Sequence, residues 1–75
     1  MPEIKLLSVV ALLEDIPDKD LLRGQVGTVV ETLVPGVFEV EFSDNNGQTY
    51  ATRALRADQL MRLQYEPTAG IKPYT

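Results

Sequence analysis

The chain predicts an all-β domain of five short strands curled into a small barrel, with one short 3-10 turn before the last strand. Three observations predict it. Turn signals recur at close spacing, at Gly24, Pro35-Gly36 and Asn46-Gly47. Between two of them VFEVEF alternates strictly, which puts Phe38, Val40 and Phe42 on one face and Glu39 and Glu41 on the other. Finally, the β-branched run VGTVVETL opens on a glycine pair, RGQVG, where a strand can bend.

The elements follow in order. Residues 8–13, SVVALL, are almost continuously apolar, so periodicity leaves a strand and a short helix both open. Val9 and Val10 favour the strand, and EDIP ends it either way. IPDKDLLRG has the length of the loop joining the first two strands of an SH3-like barrel, with Leu21 and Leu22 expected to fold over its open end. In the second strand Val29 shares a face with Glu31, and Val30 with Thr28 and Thr32, so neither face is wholly apolar. A bulge or sharp bend is therefore expected near Gly27, with Gly24 ending the loop and Gly27 sparing a neighbouring strand a Cβ. Val34-Pro35-Gly36-Val37 reads as a type II turn, because proline presets φ at its second position and glycine accepts positive φ at its third. Asp44-Asn45-Asn46-Gly47 reads as a hairpin turn, since Asn46 and Gly47 both tolerate left-handed backbone. QTYATRAL returns as the fourth strand, RADQL suits one tight helical turn, and MRLQY closes as the fifth. Residues 1–64 thus make the SH3-like barrel. Residues 65–75 are expected as an extended tail, with Ile71 and Tyr74 available to pack on this barrel or on a neighbouring copy.

Seventy-five residues make one domain near the lower size limit for a self-sufficient core. No cysteine is present to staple it, so self-association is an expected source of further burial. Acids outnumber bases 11 to 7, for a net charge of −4, which argues against a generic nucleic-acid binder. The apolar stretch LLSVVALL is too short to span a bilayer and lacks a small-residue cleavage site. A cytoplasmic, membrane-free protein is the expectation.

The candidate chemistry is sparse. GQVG precedes Thr28-Val29-Val30, a strand former, and not the helix N-terminus that a phosphate cradle needs. With no histidine or cysteine, and with Ser8 and Ser43 lacking a recognisable base, no catalytic residue, metal site or cofactor is expected, and the chain is not read as an enzyme. Glu31, Glu39 and Glu41 face outward on adjacent strands, either as a solvated surface or as a docking patch for a basic protein. Arg53, Arg56 and Arg62, interrupted by Asp58, could hold a carboxylate or a phosphate, or could pair with nearby acids. Tyr50, just after the hairpin turn, could line a groove beside them or pack on the core.

The run LLSVVALLEDIPDKDLLRGQVGTVVETLVPGVFEVEFSDNNGQTYATRALRADQL, and within it RGQVGTVVE, PGVFEVEF and LRADQL, resembles a family of short, mostly bacterial proteins classed as a domain of unknown function. That resemblance implies an SH3-like barrel and carries over no functional residue. More loosely, Gly24, Gly27 and Val29 are similar to the turn and bent strand of KOW-type barrels in ribosomal proteins and transcription elongation factors. Gln25, Thr28 and Glu31 replace the basic residues expected there. The function expected is a self-associating protein-interaction module, an accessory, antitoxin or immunity-like partner. The alternatives are a KOW-like nucleic-acid or ribosome-associated module through Tyr50, Arg53, Arg56 and Arg62, and an oligomeric scaffold.

Overall fold

The computed structural model describes residues 3–63; the tail expected over residues 65–75 lies outside them. Five strands form one antiparallel sheet: β1 (Val9–Leu12), β2 (Val26–Val34), β3 (Val37–Ser43), β4 (Thr49–Arg56) and β5 (Leu60–Arg62). Their order is β4-β3-β2-β1-β5. The fold is all-β, and a 3-10 turn (Ala57–Gln59) precedes the last strand, as the sequence predicts. A second 3-10 turn (Pro17–Lys19) lies in the β1–β2 loop. No helix among the described residues is long and apolar enough to cross a membrane.

The closed cylinder is not formed. β4 and β5 are free edges of an open sheet. β2 runs on past the core, and its residues from Val30 to Val34 are all exposed. Its irregularities also fall later than expected. Pairing of Val10 with Gly27 belongs to an unbroken register, and the shifts come at Val30 and Leu33, between Val29/Glu31 and Thr32/Val34. Gly27 has a different task. A Cβ there would stand 2.8 Å from Val40 Cγ1, 2.9 Å from the Glu41 carbonyl oxygen and 3.0 Å from Phe42 Cδ2. Only a residue without a side chain lets β3 pack this closely.

Strand alternation sorts the rest. Val10, Leu12, Val29, Val40, Phe42 and Leu55 are fully buried on the inner face, each contributing about 1.5–3 kcal/mol of transfer free energy. Ile16 and Leu21 cap the end of this core. They pair with each other across the Pro17–Lys19 turn, with Asp20 left-handed at φ 55°. Leu22, expected to help cover that end, is exposed instead, because neighbouring residues of an extended segment point to opposite sides.

Both hairpin turns follow their residue chemistry. Gly36 takes φ 81° after Pro35, as a type II turn requires. Such a turn fits the right-handed twist of strands poorly, and the bulge at Leu33 beside it supplies extra twist. At the second hairpin Gly47 takes the left-handed conformation, at φ 81°, and Asn46 does not. The Asp44 carboxylate holds the turn by accepting hydrogen bonds from the Asn46 and Gln48 backbone N–H groups, at 2.9 and 3.0 Å.

Candidate functional interface

The outer face of the sheet is where the chain has side chains to spare. Its acidic half is built on β2 and β3. Glu31 and Glu39 are directly paired across the strands, and Glu41 lies on the same face, opposite Thr28. Glu31 is exposed and Glu39 and Glu41 are half-buried. No hydrogen bond or ion pair between described residues engages the carboxylate of any of the three. Like charges directly opposed on a sheet cost roughly 0.2–1 kcal/mol. Arg56 shares this face, opposite Val37, but its guanidinium pairs with Asp58.

The other half is apolar, and sequence reasoning missed it. Ala11 pairs with Val26 on one side and Met61 on the other, so the three form one row on the face opposite Val10 and Leu12. Ala11 is only 7% exposed, while Val26 and Met61 are 47% and 49% exposed. Val9 and Leu63 continue the patch, joined by a 2.8 Å hydrogen bond from the Leu63 N–H to the Val9 carbonyl oxygen. The signal was the unbroken run of residues 8–13, which reads as a strand covered on both faces. At the seam between the halves lies a depression of about 280 Å³, lined by Val9, Val26, Gly27, Thr28, Glu41 and Ser43.

The arginines do not form one cluster. Arg53 and Arg56 are on β4 and Arg62 is on β5, the two opposite edges of the sheet. Arg53 reaches the Asp18 carboxylate at 2.7 Å, which ties β4 to the β1–β2 loop, and Arg56 pairs with Asp58 at 3.0 Å. Arg62 faces inward beside Val10, and its Nε is buried without a hydrogen-bond partner among the described residues. Tyr50 is the extra residue of a β4 bulge, between the pairs Phe42–Ala51 and Ser43–Thr49. Its ring is tilted by 44° against Phe42, with centroids 6.5 Å apart, and its hydroxyl accepts a 2.8 Å hydrogen bond from Gln25 Nε2. Half of it is exposed, yet both contacts make it a brace between the hairpin and the β1–β2 loop.

One further feature stands at the N-terminal end of β1. Lys5 to Ser8 form a tight turn, closed by the Ser8 N–H on the Lys5 carbonyl oxygen and by the Lys5 N–H on Ser8 Oγ, both at 2.9 Å. Leu7 sits within it at φ 68° and 70% exposed, a backbone conformation that branched side chains rarely adopt.

Among the described residues no group of three or more histidine, cysteine, aspartate or glutamate side chains could hold a metal ion. No curated protein and no solved structure matches the chain. One family profile does match, described as Domain of unknown function (DUF4926), and it spans residues 6–62, from the Leu6–Leu7 turn through β5. The chain belongs to the DUF4926 family.

Proposed function

We propose that this chain is a non-enzymatic protein-interaction module on an SH3-like sheet, acting as an accessory, antitoxin or immunity-like partner in the bacterial cytoplasm. The observation that carries the reading is the pairing of Glu31 with Glu39, with Glu41 beside them and no ion pair among the described residues engaging any of the three carboxylates. A surface that accepts this repulsion gains most from a basic partner, whose approach removes it. The free edges at β4 and β5 favour self-association as well, since each exposes unpaired backbone groups. Nucleic acid is the weaker reading. Two of its three arginines are engaged with aspartates, and the third is on the far edge.

The test is affinity capture on the immobilised chain, followed by titration of the purified partner at low and high salt. Replacement of Glu31, Glu39 and Glu41 together by glutamine is expected to abolish retention, and binding is expected to weaken steeply with salt. Equal retention by the triple variant, or salt-insensitive binding, overturns the proposal. Light scattering reads the oligomer separately: a mass near 8.3 kDa at all concentrations removes self-association from it.

A further inference from the structure

We infer that the depression at the seam of the outer face seats one aliphatic side chain flanked by cationic residues, so that the partner presents a basic segment with a single apolar residue at its centre. This rests on the acidic docking face proposed above and says what that face selects.

The shape of the seam carries the inference. Val9 of β1 bounds one side, Glu41 and Ser43 of β3 the other, and Val26, Gly27 and Thr28 of β2 run between them. Gly27 leaves the outer side open because its only missing substituent would point inward, toward Val40 and Phe42. An aliphatic group lying there meets the two valines and the edge of the apolar row formed by Ala11, Val26 and Met61. A cation next to it in the same segment meets Glu41, and a second one reaches the Glu31–Glu39 pair. Neither group alone satisfies the site. A purely basic segment leaves the two valines wet, and a purely apolar one leaves Glu41 facing it at the border without a counter-charge.

A second copy of the chain does not fit this face. Face-to-face docking would bring the three glutamates against those of the copy, on chains that each carry a net charge of −4. Self-association is left to the strand edges. An isolated small molecule fits poorly too, because the depression is open to solvent and cannot enclose most of a ligand's surface.

Three five-residue peptides test this by titration into isotope-labelled protein, reading the amide signals of Gly27, Thr28 and Ser43. The first has leucine between two lysines, the second serine between two lysines, and the third leucine between two glutamates. The leucine–lysine peptide is expected to shift those amides saturably and to bind about tenfold tighter than its serine twin, as partial burial of one leucine implies. Val26→Ser, an exposed position, is expected to erase that tenfold advantage while leaving the melting curve intact. Glu41→Gln is expected to weaken both lysine peptides. Equal binding of the two lysine peptides, with shifts centred on Glu31 and Glu39, overturns the seam and leaves the acidic docking face standing. Equal binding of the glutamate-flanked peptide overturns both, since charge would then play no part. No shift from any peptide overturns the seam, and the capture experiment then decides the docking face independently.

Discussion

Replacing Gly27 with alanine puts the strand packing to its sharpest test. The added Cβ would lie 2.8, 2.9 and 3.0 Å from a Val40 methyl, the Glu41 carbonyl oxygen and the Phe42 ring. The methyl and the ring belong to fully buried side chains, and the carbonyl belongs to the β2–β3 ladder through the Thr28–Glu41 pair. No contact is the loose end of a flexible side chain, so relief needs β2 and β3 to separate. Overpacking of this kind costs about 1–3 kcal/mol, and a clash with backbone belongs toward the upper end. Alanine also restricts the unfolded chain, which returns roughly 0.4–1 kcal/mol because Gly27 is not at positive φ. The net expectation is a loss of about 1.5–2 kcal/mol. For a domain of this size that lowers the Tm by roughly 6–16 °C, read by circular dichroism in a thermal scan. Combining Gly27→Ala with Val40→Ala removes one of the three contacts, so the two losses are expected to sum to less than additively. An unchanged or higher Tm for the single variant would refute the close approach of β3 to Gly27.

Other perturbations follow from the same geometry. Leu7→Gly relieves a left-handed backbone costing about 1–2 kcal/mol, against roughly 0.5–1 kcal/mol of added chain entropy, so denaturant midpoints are expected to rise slightly; a fall means that the Leu7 side chain holds the turn in place. Glu39→Gln is expected to stabilise the chain by about 0.2–1 kcal/mol at low salt and by less at high salt, and equal gains at both would place the Glu31–Glu39 repulsion in doubt. Arg53→Ala removes the ion pair to Asp18 at a cost of under about 1 kcal/mol, as for other solvent-exposed pairs; a larger loss in urea titration would mean that the β1–β2 loop depends on it. Gel-shift titrations with single- and double-stranded RNA and DNA at low salt are expected to show no complex, and a shift abolished by Arg56→Ala would restore the nucleic-acid reading.

The elements legible in the sequence are those fixed by neighbours in the chain. VFEVEF declared its two faces by alternation, Pro35-Gly36 and Gly47 declared their turns through φ, and the turn before β5 followed from a short polar break between strands. What depends on distant residues was less visible. The bulges at Val30, Leu33 and Tyr50 are properties of pairing with β3, and β2 alone could show only that its alternation failed somewhere. Closure of the sheet requires β4 and β5 to meet, and no local pattern reports on that. The site divided along the same line. Glu31, Glu39 and Glu41 were readable as an outward set, whereas the row Met61–Ala11–Val26 joins three separate strands. Arg53, Arg56 and Arg62 looked like neighbours because they are close in sequence, and the sheet sends them to opposite borders.

β5 is only three residues long, and it pairs with β1, the strand most remote from it in the chain. Joining them closes a loop of roughly 50 residues, an entropic cost of about 3–4 kcal/mol that the hairpins of β2, β3 and β4 do not bear. During synthesis those hairpins can therefore form early, while the apolar half of the interface waits for Met61 to arrive beside Ala11. A half-made or proteolytically clipped chain would keep Val9, Val26 and the glutamates but lack Met61, leaving Ala11 uncovered on its β5 side.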